Sequence, residues 1–149
     1  MSVVSPEILI KIQNYCVYQE RCHAEVRNKL YELGCSTQTL NEIMVSLIET
    51  NFLNEERFAK AYAGGKFRTM KWGRMKILNE LKSRKITDYC IRMALKEIDD
   101  LDYMECLAQL VEKKIKKGAD WKEKQKVTTW LLSRGFELHL IKISLAAYS

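Results

Sequence analysis

The chain repeats itself. Val26, Ile77 and Val127 fall in one column, Leu30, Leu81 and Leu131 in a second, Leu40, Ile91 and Ile141 in a third, and Met44, Leu95 and Leu145 in a fourth, at offsets of 51 and then 50 residues. A helix-stop position recurs in the same register at Gly34, Lys85 and Gly135. Self-similarity at such a period marks a tandem array in which each unit leaves an apolar face for its neighbour to cover. The prediction is an all-α chain of three tandem three-helix repeats, nine helices in all, in an elongated, curved arrangement. The repeats span residues 1–52, 53–99 and 100–149.

Local signals agree with helix throughout. One proline and six glycines in 149 residues leave little of the punctuation that hairpins require. Ser5-Pro6-Glu7 supplies a capping oxygen, a proline at the first helical position and an acid at the positive helix end. Leu9, Ile12 and Cys16, then Val26, Leu30 and Leu33, recur at helical spacing. Ser36 caps a third helix carrying Leu40, Ile43, Met44 and Leu47, which Asn51 can end. In the second unit Asn54 caps, Glu55 and Glu56 fill the first turn, and Gly64-Gly65 is expected to interrupt the helix as a bend or a close contact. Thr87 caps the helix of Ile91, Ala94 and Leu95. Tyr103, Leu107, Leu110, Val111 and Ile115 define a longer one ending at Gly118, and Asp120 with Glu123 resembles a capping box. Phe58, Tyr62, Trp121 and Trp130 fall on apolar stripes and are assigned to the core.

Several function classes are disfavoured. No apolar run approaches the roughly 18–20 residues of a membrane span, and the first residues lack a basic then apolar leader, so a soluble, cytoplasmic chain is expected. Cys16, Cys22, Cys35, Cys90 and Cys106 form no C-x-x-C and read as reduced thiols, most of them packing. His23 and His139 stand in no ligand spacing, so no metal is expected. A nucleophile paired with a base, paired carboxylates and a complete phosphate-binding glycine loop are all missing from the pattern, since Gly64-Gly65-Lys66 lacks the rest of a Walker motif. The expectation is no enzyme activity and no cofactor.

Charge is the stronger lead. Lys and Arg number 25 against 19 Asp and Glu, a net of +6. Residues 60–85 alone hold nine basic side chains against Glu80, a net of +8. Lys66, Arg68, Lys71, Arg74, Lys76, Lys82, Arg84 and Lys85, with Phe67 and Trp72 interleaved, form the preferred contact surface for a polyanion or an acidic partner. Lys71, Arg74 and Lys76 are read as exposed, and Trp72, beside a glycine, as chiefly a packing residue. Arg57 is read as pairing with a carboxylate across a repeat interface. A second run, Lys113, Lys114, Lys116, Lys117, Lys122, Lys124 and Lys126, is interrupted by acids, and solubility explains it as well as binding does.

Three segments resemble a known family: RCHAEVRNKL (Arg21–Leu30), NEERFAKAY (Asn54–Tyr62) and WGRMKILNELKSRKI (Trp72–Ile86). They look like the RecX proteins, regulators of the RecA recombinase. The matching motif residues are Arg57, Phe58, Ala59, Tyr62, Trp72, Gly73, Ile77, Glu80 and Leu81. Cys22 stands where the family usually has a capping serine, Asn54 where it has aspartate, and Lys85 where glycine is common. The resemblance implies a cytoplasmic, non-catalytic modulator lying in the groove of the RecA filament on single-stranded DNA. It would inhibit ATP hydrolysis, strand exchange and repressor cleavage, and so modulate recombinational DNA repair and the SOS response. Partners implied are the RecA filament and DNA itself, without membrane or small-molecule substrate. A second reading stays open on the basic segment alone: a general single-stranded nucleic-acid-binding helical module.

Overall fold

The computed structural model describes residues 4–116 and 118–148. Among these the chain forms nine α-helices and no strand: α1 Pro6–Tyr18, α2 His23–Glu32, α3 Thr37–Glu49, α4 Glu55–Met70, α5 Arg74–Ser83, α6 Asp88–Lys96, α7 Asp100–Lys114, α8 Trp121–Ser133 and α9 Leu138–Ala146. They exist as three groups of three. The chain exposes 9465 Å², whereas a compact monomer of 17.5 kDa exposes about 7,900 Å². The excess is that of an elongated array.

The internal repeat is visible down to single hydrogen bonds. The second helix of each unit ends in a left-handed residue, with φ of 88° at Gly34, 60° at Lys85 and 97° at Gly135. The next N–H then reaches back into the last turn: Cys35 to the Leu30 carbonyl at 3.1 Å, Ile86 to Leu81 at 3.2 Å, and Phe136 to Leu131 at 3.1 Å. This is a Schellman closure, which satisfies carbonyls that the helix end leaves unpaired. Side-chain caps follow the reading at Ser36, Asn54, Thr87 and Asp120, and the structure adds one at Asp99, each accepting from the backbone N–H three residues on. At Cys22 the backbone N–H donates to the Glu25 carboxylate at 3.0 Å, one arm of a capping box.

Some expectations are corrected. Ser5 makes no side-chain cap, so Pro6 and the first-turn acid Glu7 mark that start. Gly64 and Gly65 do not interrupt α4, which runs on to Met70; Gly64 is buried, and a side chain there would meet the Arg68 guanidinium at 2.7 Å. The longer helix stops at Lys114 rather than Gly118, because Ile115 turns to extended backbone with its side chain 8% exposed in the core. Trp121 is not a core residue but 75% exposed. At 3.6 residues per turn it points about 120° away from Val127, which sets the buried side of α8.

Two apolar cores result. Ile12, Cys16, Val26, Leu30, Leu40, Ile43, Met44, Leu47 and Leu53 fill the first unit. The second and third units share one continuous core that includes Ile77, Leu81, Ile91, Tyr103, Leu107, Leu131 and Ile141, with α4 packed along α6 and α7 along α9. Cys22 crosses from the first unit into that shared core.

Candidate partner-binding face

The basic segment becomes a surface because α4 and α5 place its cations on aromatic rings. Tyr62 and Trp72 meet edge to face with centroids 6.4 Å apart. The Lys66 ammonium lies 5.0 Å from the Trp72 centroid and 5.5 Å from that of Tyr62. Lys76 Nζ stands 4.5 Å from Trp72, and the Arg84 guanidinium 4.7 Å from Tyr62. Each such contact fixes a cation that would otherwise sweep through solvent. Glu80, one turn before Arg84, pairs with it at 3.0 Å. Burial pushes the Tyr62 hydroxyl above its ordinary value.

Beside these rings a groove of about 530 Å³ separates the first and second units, lined by Gln19, Glu20 and Glu25 on one side and Phe58, Tyr62, Lys66 and Arg84 on the other. Arg57 crosses the same junction. Its Nε donates to both carboxylate oxygens of Glu20, at 2.5 and 2.8 Å, and Nη2 to the Asn51 and Phe52 carbonyls. The motif arginine thus holds one unit against the next.

The other sequence-predicted cations do not join this face. Arg74 is corrected from exposed to engaged, with a side chain 22% accessible. Its Nη2 lies 2.6 Å from Asp100 and its Nη1 3.3 Å from Glu137, and the guanidinium stacks 3.8 Å from the Tyr103 ring. Lys76, by contrast, belongs to the face on Trp72 and is half-buried rather than exposed. Lys71 is exposed at the left-handed end of α4, with Nζ donating to the Arg68 carbonyl at 2.9 Å. Arg68 sits beside Glu97, Asp99 and Asp102. Lys82 and Lys85 stand exposed and take part in no ion pair among the described residues.

What sequence reasoning missed is the clamp between the second and third units. The Gly73 N–H donates to the Arg134 carbonyl at 2.7 Å and the Met75 N–H to the Gly135 carbonyl at 2.9 Å. A Cβ on Gly73 would lie 2.3 Å from the Gly135 carbonyl carbon, and one on Gly135 would lie 2.4 Å from Lys76 Cβ. Arg134 also reaches the Met70 carbonyl. The buried Tyr103 hydroxyl donates to Glu137 and accepts the Arg74 N–H at 2.9 Å. Burial first, then the Glu137 bond, raises the Tyr103 hydroxyl far above its ordinary value. A signal was present: Glu137 occupies the register of the capping residues Ser36 and Thr87, and it makes no side-chain cap. Its carboxylate serves the clamp instead.

The cysteines are all free, four of them buried. Burial pushes the thiols of Cys16, Cys22, Cys90 and Cys106 up, away from the nucleophilic thiolate. No group of three or more potential metal ligands exists among the described residues. No helix among them is long and apolar enough to cross a membrane.

Fold and face together define a class: a tandem three-helix-repeat protein that offers a cationic, aromatic-backed surface on a clamped pair of units. Comparison with known proteins narrows this. Residues 54–95 match the second three-helix domain of RecX and residues 101–143 the third. The chain is 29% identical over 132 residues to the regulatory protein RecX of Prosthecochloris aestuarii, covering 88% of this chain and 86% of that one. It is 33% identical over 118 residues to the RecX of Clostridium perfringens, covering 76% and 55%. Against the Bacillus licheniformis protein the identity is 30% over 138 residues, and the chain spans about half of that relative's length (52%). The crystal structure of RecX from Lactobacillus salivarius superposes with a TM-score of 0.84 at 25% identity, covering 95% of this chain and 94% of that one. This chain belongs to the RecX family.

Proposed function

We propose that the chain regulates the RecA recombinase in the cytoplasm without catalysing a reaction, by lying in the groove of the RecA filament on single-stranded DNA. There it resists the subunit movement that accompanies nucleotide turnover and occludes the groove needed by duplex DNA and repressor. ATP hydrolysis, strand exchange and repressor cleavage fall together, and with them recombinational repair and the SOS response are modulated. The observation that carries this reading is the α4–α5 face of a RecX-family chain, where Lys66, Lys76 and Arg84 are held on Tyr62 and Trp72. Fixed cations on a rigid element lose less freedom on binding than mobile ones. The functional division is taken at 1–52, 53–99 and 100–149, the basic middle unit carrying most of the partner contact.

The same cation-backed rings favour one second reading, a general single-stranded nucleic-acid-binding module. One experiment separates the two: DNA-dependent ATP hydrolysis by preformed RecA filaments, titrated with this protein at two salt concentrations, with binding to naked DNA measured alongside. Inhibition at concentrations that barely occupy naked DNA supports filament regulation. Unaffected hydrolysis with tight, salt-steep DNA binding supports the module. For the contact residues, reversing Lys66 and Lys76 to Glu is expected to weaken inhibition roughly tenfold with unchanged helicity; full inhibition would refute the assignment. Arg74 is left out because its reversal also breaks the contacts to Asp100 and Glu137.

A further inference from the structure

The repeat register allows the two junctions of the array to be compared residue by residue. At the second, Gly73 meets Gly135, two backbone bonds join their segments, Arg134 reaches the Met70 carbonyl, and Tyr103, Glu137 and Arg74 are bonded together. At the first, Cys22 takes the place of Gly73, Lys85 that of Gly135, His23 that of Arg74 and Thr87 that of Glu137. Counted from the caps Asn54 and Asp99, Phe58 takes the place of Tyr103 and brings no hydroxyl. Cys22 and Lys85 both carry the Cβ that the close backbone contact excludes. The Cys22 N–H is committed to the Glu25 carboxylate of its own helix at 3.0 Å. Arg84 and Gln19, in the register of the bonded Arg134 and Met70, line the open groove of about 530 Å³, with Arg84 turned to Glu80 and Tyr62.

We infer that the first unit is a hinged arm, pivoting at Leu53–Asn54 against a rigid body made of the second and third units and latched by the Arg57–Glu20 ion pair. The joint is short. Leu53 is buried in the first core with its N–H on the Leu47 carbonyl at 3.1 Å, whereas the next residue, Asn54, caps α4. Across the junction Cys22 is the one residue of the first unit, among those described, that enters the shared core. Opening therefore withdraws one small side chain and breaks one partly exposed ion pair, far less than unfolding either body requires. It widens the groove walled by Tyr62, Lys66 and Arg84. The hinge concerns only how the units are joined and does not depend on the filament reading.

The native cysteines report the motion in the full chain, without RecA or DNA. Alkylation by iodoacetamide is followed at each cysteine by mass spectrometry, and each rate is divided by that of the same residue in the urea-unfolded chain. In a rigid array Cys22, 1% exposed, would react more slowly than Cys106, 9% exposed and inside the second and third units' core. The hinge predicts the reverse order. It also predicts a shallow dependence of the Cys22 rate on urea below the unfolding transition, because the slope scales with the surface uncovered. Glu20→Gln removes the latch without changing its size and is expected to speed Cys22 by about 1.5- to 5-fold, the range for partly exposed ion pairs. Arg57→Gln should speed it at least as much, and Cys106 should keep its rate in both variants. Three results would overturn the inference: Cys22 reacting no faster than Cys106, a Cys22 rate unmoved by Glu20→Gln, or equal acceleration of both cysteines, which would make the ion pair a support of the whole fold rather than a latch. Inhibition of RecA is scored separately, and neither result decides the other.

Discussion

Replacing Gly73 by Ala should open the clamp between the second and third units. The added Cβ would sit 2.3 Å from the Gly135 carbonyl carbon, 2.4 Å from its oxygen and 2.4 Å from the Phe136 nitrogen. All three are backbone atoms, so no rotamer change relieves the overlap and the two segments must separate. Separation breaks the bonds from Gly73 N–H to Arg134 and from Met75 N–H to Gly135. Each is worth about 1 kcal/mol net, and a buried partner left unpaired adds about 1–3 kcal/mol. The sum is about 3–5 kcal/mol, a large part of the 5–15 kcal/mol typical of a folded domain. For a chain of this size that corresponds to a fall in Tm of roughly 6–20 °C. The assay is thermal unfolding followed by circular dichroism, with Gly65→Ala as the control. Gly65 is helical and a Cβ there meets nothing within 4 Å, so that variant should gain up to about 1 kcal/mol. Melting of Gly73→Ala within 2 °C of the parent, a margin of about 1 kcal/mol or less, would refute the account of the glycine pair as a contact point.

Tyr103→Phe should cost about 1–3 kcal/mol, since Glu137 and the Arg74 N–H both lose the hydroxyl; a denaturant midpoint equal to the parent's would contradict it. The Tyr103 hydroxyl is raised in the folded chain by burial and by Glu137. Stability is therefore full below the unfolded tyrosine value, about 10, and is lost as pH rises above it, because the unfolded chain then releases a proton that the folded chain keeps. Alkaline unfolding monitored by tyrosinate absorbance should show this slope, and Tyr103→Phe should lessen it. Lys85→Gly should stabilise by about 0.5–1 kcal/mol, because relief of a left-handed non-glycine residue exceeds the added freedom of the unfolded chain; a lowered Tm would show that the Lys85 side chain holds the helix end in some other way.

Much of the architecture could be read from the amino-acid sequence because it rests on local chemistry. The helix periods, the caps at Ser36, Asn54 and Thr87, and the stop register at Gly34, Lys85 and Gly135 depend on residues within a few positions of one another. Cation-rich residues 60–85 were equally visible, and so was a crossing role for Arg57, though not its partner Glu20, 37 residues away. Which cations face a partner was not visible. Arg74 and Lys76 lie two residues apart, yet one is drawn to Asp100 and Glu137 of the third unit and the other to Trp72.

The sequence by itself determined the class of helix, the number of units and their period, since periodicity and capping are written in neighbouring side chains. Only the tertiary structure decided that the second and third units share one core while the first keeps its own. It also decided that Gly73 touches Gly135, 62 residues on, and that Trp121 faces water while Tyr103 does not. The reason is physical: the direction a side chain takes follows from the local helix, but what it meets there depends on how units distant in sequence dock.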